Sequence, residues 1–383
     1  MKIAFIHHEK KIGTGAHFIN DLMATRLREA GVRVKNFYPK NPLLDTPLHL
    51  KGISNVLFFY SLLERKDEIL KYDLIQGTTY TPLAFLPFSI PVVSHFGSTS
   101  WGFLRAVPLA KDLESSLRKI WLVLNKAGVI HELNVRSRRP LRDVAEIEEL
   151  VAVRADAVIA ASEIVRKDLL AVGVVPEKIY VVPNAIEDYW FNGQPMVFQE
   201  HPALVFLGRI GADAFTLKLK GMDRLIDYYQ HFPTLPKYTI GITTKKELVG
   251  WFIEKIPNHS FYANFKKERI PDLLHDKAGG ILLITSRYEG FSLSLVEGMS
   301  QGLIPVTYPV GIAPEIIENG RNGFLVNSQA EGKKAIEHIL KLPAAERRQL
   351  AVAAQATAKN FHSKTISKRL IEVYNQTLKK PDK

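Results

Sequence analysis

Two glutamates eight positions apart, Glu289 and Glu297, bracket the stretch "SRYEGFSLSLVEGMSQG" at residues 286–302. Glu297 falls in an apolar run that reads as a buried helix, where a carboxylate is expensive unless partners satisfy it. Two vicinal hydroxyls are such partners, and a ribose carries them. Glu289 is followed by Gly290, Phe291 and Ser292, the loop that turns a buried strand, "GGILLITS", into that helix. Its backbone N–H groups, at a helix start, would face phosphate. Further upstream, "FLGRIGADAFTLKLKGMDRLI" ends a strand at Arg209 and reaches Lys220 at a helix start. Two cations and a helix N-terminus suit a diphosphate, with Lys218 a near competitor for the lysine's part. In "VVSHFGS", His95 stands at a strand end before Gly97. It reads either as a structural histidine or as one that orients a hydroxyl or stabilises a polar transition state. Gly13 and Gly15 in "IGTGAH" open a helix, as an anion-facing loop or as a plain tight turn, without the spacing of a dinucleotide fold. No Asp-x-Asp triplet is present to hold Mg²⁺ against a diphosphate, and His131-Glu132 has no second histidine at zincin spacing. No metal is expected, so Arg209 and Lys220 would neutralise the diphosphate themselves.

The elements that must position these residues alternate from end to end. "KIAFIHH", "VRVKNFY", "DLIQG", "PVVSHFG", "ADAVIAAS" and "IYVVPNAI" read as short strands separated by helices. The pattern restarts with "ALVFLGRI", "KYTIGITT", "SFYANF", "GGILLITS", "IPVTYP" and "GFLV". Nearly continuous apolar strands between helices predict parallel sheets covered on both faces, here two doubly wound α/β domains. Length agrees, since 383 residues exceed one ordinary core. The boundaries fall at 1–185 and 186–361, and residues 328–379 read as purely helical. In open α/β sheets ligands bind beyond the carboxyl ends of the strands, where the residues named above lie. Two such domains facing each other would make a cleft suited to a small molecule.

The chain has no cysteine, 46% apolar residues and 23% charged residues, and no stretch long and apolar enough to span a bilayer. "MKIAFIHH" runs into a strand without a signal-peptide layout, so the expectation is a cytoplasmic protein, at most at the inner face of the membrane. The net charge is +12, and residues 101–142 concentrate nine Lys and Arg against three Asp and Glu. That stretch reads either as a solvated helical face or as a surface for an anionic partner, acidic phospholipid or a lipid diphosphate. Trp121 and Leu122 among its basic residues favour a membrane-touching face. Nucleic acid is disfavoured because regularly interleaved aromatic residues are missing.

With these residues assembled, the chain resembles retaining glycosyltransferase family 4 (glycosyl transferases group 1, GT-B fold) over essentially its whole length. The motifs are "FLGRI…KGMDRLI", the Glu-x7-Glu segment "EGFSLSLVEGMSQGLIPV", "GIAPEIIENGRNGFLV" and the crossing "ADAVIAASEIVRKDLLAVGVVPEKIYVVPNAIEDYWF". The resemblance implies that Arg209 and Lys220 hold the donor diphosphate and Glu297 the ribose hydroxyls. It implies that Glu289 lies beside the donor sugar, with backbone groups of Gly290, Phe291 and Ser292 contacting sugar hydroxyls or phosphate. His95 matches the histidine at the acceptor-side strand end, and Gly13 and Gly15 would line the leaving group and acceptor. The last helix, about 362–378, would return to the N-terminal domain. The implied activity is metal-independent, retaining transfer of a hexose from a nucleotide-sugar donor to an acceptor hydroxyl, lipid-linked or in the cell envelope. A nucleotide-sugar epimerase on the same architecture and a non-catalytic GT-B subunit beside an active transferase are the alternatives. Two departures stand out: Arg209 and Lys220 are eleven residues apart, so "GADAFTLKL" must fold aside, and the glycine loop lacks the usual adjacent pair.

Overall fold

The computed structural model describes residues 1–8, 15–40, 57–134, 139–193 and 195–379, the side chains of 15–18 and 139 excepted. The chain divides into two compact units, one of Met1–Leu104, Arg138–Glu187 and Phe361–Lys383, the other of Arg105–Ser137 and Asp188–Asn360. Each is built on a six-stranded sheet whose described pairings are all parallel. All twelve stretches read as strands from the sequence are strands.

In unit 1 the strands are β1 (Lys2–Ile6), β2 (Arg33–Phe37), β3 (Leu74–Thr78), β4 (Val92–Phe96), β5 (Ala157–Ala160) and β6 (Ile179–Val181). Their order is β2-β1-β3-β4-β5-β6. The chain therefore winds one way from β1 to β2 and the other way from β3 onward, and the reversal leaves a crevice at the carboxyl ends of β1 and β3. β4 and β5 are wholly buried, and Val92, Phe96, Val158 and Ala160 join Ala4, Ile6, Phe37 and Ile75 in one core. The last helix, Ser363–Leu378, buries Ile366, Leu370, Val373 and Tyr374. It packs in unit 1 against helix Gly15–Glu29, where Arg26 Nε donates to Ser363 Oγ at 2.7 Å.

In unit 2 the strands are β7 (Leu204–Arg209), β8 (Lys237–Ile242), β9 (His259–Ala263), β10 (Ile281–Ile284), β11 (Ile304–Thr307) and β12 (Phe324–Leu325). Their order is β12-β11-β10-β7-β8-β9, so the winding reverses between β7 and β10, which pair with Ile281 opposite Leu204. The crevice thus opens between the strand that ends in Arg209 and the strand that precedes Glu289.

Segment 105–137 lies in unit 2 rather than in the 1–185 domain to which the sequence reading assigned it. The physical reason is local. Helix Ser115–Lys126 turns Leu117, Ile120, Trp121 and Leu124 inward and packs against helix Met222–His231. Lys218 Nζ completes the attachment by donating to the Pro108 carbonyl at 3.1 Å and to the Leu133 carbonyl, 5.7 Å above the Trp121 ring. Trp121 is consequently fully buried, and Leu122 and Val123 are the apolar residues the helix exposes.

Candidate nucleotide-sugar site

Between Arg209 and Lys220 the chain does not form a loose loop. Asp213 caps helix Ala214–Leu219 with a reciprocal capping box, its Oδ1 accepting from Thr216 N at 3.0 Å. Ala214, Phe215, Leu217 and Leu219 are buried, so the insertion packs as a short helix that ends at Lys220. Gly221 follows with φ of +63°, and a Cβ there would lie 2.0 Å from the Thr285 carbonyl oxygen. Only glycine permits this approach.

That approach joins the two loops of the crevice. Thr285 Oγ1 donates to the Lys220 carbonyl at 2.9 Å, and Arg287 N donates to the Leu219 carbonyl at 2.8 Å. The Arg287 guanidinium grips fully buried Asp223 through two parallel bonds of 2.9 and 2.6 Å and also donates to the Lys218 carbonyl. A bidentate pair of this kind fixes orientation as well as charge. Within this frame Lys220 Nζ donates to Glu289 Oε1 at 2.6 Å, and Ser286 Oγ reaches the same oxygen at 2.7 Å. The lysine alternatives thereby separate: Lys220 reaches Glu289, whereas Lys218 is buried against the 105–137 segment. Arg209 is exposed at the end of β7.

The loop after Glu289 is supported from behind. Ile312 N donates to the Phe291 carbonyl at 2.9 Å, and a Cβ on Gly311 would lie 2.4 Å from that oxygen. Ser292 takes φ of +75°, rare for a serine, and is buried. Its hydroxyl has no hydrogen-bond partner among the described residues. Strained, over-determined backbone of this sort gathers at functional sites. Glu297 is buried on helix Leu293–Ser300, as its position in the apolar run required, and forms an ion pair with Lys267 Nζ at 3.0 Å. Lys267 was not singled out from the sequence; the "FKKERI" run around it looks like an ordinary charged surface.

In unit 1, His95 lies on β4, paired with Thr78 of β3 and Ile159 of β5. It is 8% exposed, its Nε2 has no partner among the described residues, and burial lowers its pKa to about 4. The imidazole is therefore neutral at physiological pH. Beside it Thr79 is held at φ of +43° by Ser94 Oγ donating to its carbonyl and by its own N–H donating to the His95 carbonyl. The segment after His95 rests on two carboxylates that sequence reasoning missed. Thr99 Oγ1 donates to Asp168 at 2.8 Å, and Ser100 donates to Glu148 through its N–H at 2.7 Å and its hydroxyl at 2.9 Å. Burial pushes the Glu148 carboxyl up to about 8, against the Ser100 bonds that favour its charge. Gly15 begins helix Gly15–Glu29, and Gly13 lies outside the described residues.

Comparisons with known proteins bear on the family and the fold. The family described as Glycosyltransferase Family 4 matches residues 20–188, and that described as Glycosyl transferases group 1 matches residues 204–357. Sucrose-phosphate synthase from Thermosynechococcus elongatus has the same fold, with a TM-score of 0.74 at 15% identity over 98% of both chains. Anabaena HepE, solved in complex with UDP-glucose, superposes with a TM-score of 0.63 at 19% identity over 98% of this chain and 100% of its own. The fold is GT-B, and the chain belongs to the family 4 glycosyltransferases. Among relatives in sequence, alpha-maltose-1-phosphate synthase of Mycolicibacterium smegmatis is 26% identical over 254 residues, 55% of this chain. The match spans 61% of that relative's length.

Proposed function

We propose that this chain is a retaining, metal-independent glycosyltransferase that moves a hexose from a nucleotide-sugar donor to an acceptor hydroxyl in surface-glycan synthesis. The observation that carries the reading is the Lys220–Glu289 pair fixed at the β7/β10 crevice, next to the strand that ends in Arg209. HepE, with UDP-glucose bound in the same fold, supports a nucleotide-sugar donor. Arg209 and Lys220 hold the diphosphate and stabilise the charge it gains as the bond from the anomeric carbon to the phosphate oxygen breaks. The acceptor oxygen forms its bond on the same face of the sugar, and its proton passes to the departing phosphate oxygen. Such a reaction needs orientation of two substrates more than a protein nucleophile. Glu289, held by Lys220 and Ser286, eases positive charge at the anomeric carbon, and Glu297 accepts from the ribose hydroxyls. His95, neutral and buried, orients a hydroxyl in unit 1.

Thermal unfolding against UDP-, GDP-, ADP- and dTDP-sugars in EDTA tests the donor site. A donor at 100 times its Kd adds about 2.7 kcal/mol to the unit that binds it. One nucleotide should stand out, with its shift lost in Arg209→Ala, and NMR of the product should show the donor's anomeric configuration retained. No shift with any donor would replace this reading with that of a non-catalytic subunit.

The proposal extends to where the acceptor is met. Helix Ser115–Lys126 exposes Leu122 and Val123 between Lys119 and Lys126, a basic and apolar face that fits an anionic membrane carrying a lipid-linked acceptor. Among the described residues no helix is long and apolar enough to cross a membrane, so contact here would be peripheral. Flotation with anionic vesicles at low and high salt checks this, and absence of binding at low salt removes it.

A further inference from the structure

We infer that Arg224 is a positioning residue of the donor site, fixing the backbone at Ser286 and, through the Ser286 hydroxyl, aiming the Glu289 carboxylate at the donor sugar. The inference rests on the donor-site reading above and adds to it a residue that acts without touching substrate.

Arg224 lies half-buried on helix Met222–His231, between fully buried Asp223 and Leu225. Its Nη1 donates to the Thr285 carbonyl at 3.2 Å and to the Ser286 carbonyl at 3.3 Å, the first two residues after β10. The peptide that joins Ser286 to Arg287 is therefore held on both sides. Its carbonyl accepts from Arg224, and its N–H donates to the Leu219 carbonyl at 2.8 Å. A planar peptide bonded at both edges cannot turn without giving up one bond, so the direction of the Ser286 side chain is set. That side chain is buried, and its hydroxyl donates to Glu289 Oε1 at 2.7 Å. Arg224 is thus the first link of a chain that ends on the carboxylate.

The arginine is itself held in place. Its guanidinium carbon stands 3.7 Å from the centre of the Tyr308 ring. Tyr308 Oη donates to Gln329 Oε1 at 2.5 Å, and Gln329 Nε2 donates back to the Arg224 carbonyl at 3.1 Å, which closes a circuit. Neighbouring Arg287 has Asp223 as its counter-ion, whereas the guanidinium of Arg224 meets two carbonyls and a ring. Burial, and after it the charge of Arg287, lowers the Arg224 pKa, so the cation is kept there against its own electrostatics. An apolar side chain of similar length would cover Tyr308 as well. What it would not do is hold two successive carbonyls, which takes a planar, permanently charged donor fixed by stacking.

The test separates binding of the sugar from binding of the nucleotide. Calorimetry gives Kd for the nucleotide sugar with the largest thermal shift among the UDP, GDP, ADP and dTDP conjugates, and for its free nucleoside diphosphate. Both are measured on the wild-type chain, Arg224→Met, Arg224→Lys, Glu289→Gln, the double variant Arg224→Met with Glu289→Gln, and Arg209→Ala, all well below their melting temperatures. Arg224→Met should weaken the nucleotide sugar about tenfold and leave the nucleoside diphosphate within about threefold. Damage to the fold alone would weaken both alike. On the Glu289→Gln background the same substitution should cost about twofold or less, because the group it aims is gone. Arg224→Lys should behave as Arg224→Met does, since an ammonium does not stack flat on Tyr308 while spanning both carbonyls, and it carries the test should the methionine variant fail to fold. Equal weakening of both ligands, no weakening of either, or a full tenfold loss on the Glu289→Gln background overturns this inference. Binding lost in Arg209→Ala leaves the donor-site reading standing in each of those cases. Failure of every conjugate and diphosphate to bind the wild type overturns that reading and this inference with it.

Discussion

The two sheets share a reversal of winding beside their first strand, but their carboxyl ends do not share a chemistry. In unit 2 the crevice is lined by charges in pairs: Lys220 with Glu289, Lys267 with Glu297, Arg287 with Asp223. In unit 1 the corresponding ends carry a buried neutral histidine, a strained threonine and hydroxyls bonded to carbonyls and carboxylates. Even the buried carboxyl there, Glu148, is pushed up to about 8, whereas the unit 2 carboxylates are countered by cations. Topology does not account for this, since both sheets reverse their winding beside their first strand. A diphosphate must be met by positive charge, and pairing keeps those cations aimed. A hydroxyl is met well enough by neutral groups, and a permanent charge beside it would be costly to bury.

The sharpest way to break the comparison is to remove a cation from unit 2. Lys220→Met should lower kcat about 100- to 1,000-fold, the usual cost of deleting one preorganised stabiliser of developing charge. Lys220 is partly exposed, so the melting temperature should move little. Steady-state kinetics with the donor found above would read the loss. Activity within a few-fold of wild type would mean that the charged crevice does not serve the leaving group.

In unit 1 the matching variant, His95→Ala, should cost about 100-fold in rate without changing nucleotide affinity, the low end for a positioned acid–base or orienting group. The pH dependence gives an independent check. Burial holds the folded pKa near 4, below the 6.5 of an exposed histidine. The stability tied to this shift is present above pH 6.5 and lost as pH falls toward 4, because the unfolded chain takes up the proton first. His95 should therefore impose no change in rate between pH 5 and 7. A rate that follows a titration near 6.5, absent in His95→Gln, would show an imidazole that charges and would remove the contrast between the two ends.

Glu148 carries the opposite sign. Its folded pKa of about 8 lies above its ordinary 4.5, so its contribution is full below pH 4.5 and is lost as pH rises through 8. Between pH 6 and 9 unit 1 should lose about 2 kcal/mol, a few degrees in Tm. Glu148→Gln should flatten that slope. A wild-type Tm independent of pH over this range would mean that Glu148 is already ionised and that unit 1 is less neutral than argued.

The strands and the winding were readable because buried parallel strands announce themselves as apolar runs between helices, and "GGILLITS" could hardly be anything else. Arg209, Lys220, Glu289 and Glu297 were readable because a charged residue at a strand end or in an apolar helix contradicts its surroundings. Lys267, Glu148 and Asp168 contradict nothing locally. They stand among other charges in "FKKERI", "EIEEL" and "VRKDLL", and only the folded backbone shows that one charged side chain of each set turns inward. The placement of 105–137 was hidden for the same reason. Its inward face, Leu117, Ile120, Trp121 and Leu124, says that the helix packs on something, but the partner helix lies about a hundred residues onward.

Lys218 gives the smallest effect and the finest test, because it separates two lysines two residues apart. Its ammonium lies against the Pro108 and Leu133 carbonyls, and burial lowers its pKa. Lys218→Met keeps the stem over Trp121 but deprives both carbonyls of their donor, at a cost of about 1–2 kcal/mol. Unit 2 should melt about 2–6 °C lower, and protease cleavage within 105–137 should rise, while kcat and nucleotide affinity stay close to wild type. Lys218→Arg, with a bulkier head in a site shaped for an ammonium, should recover little of the loss. A drop in kcat like that of Lys220→Met, with Tm unchanged, would mean that Lys218 reaches the diphosphate in turnover. The charged crevice would then extend beneath the segment that now covers it.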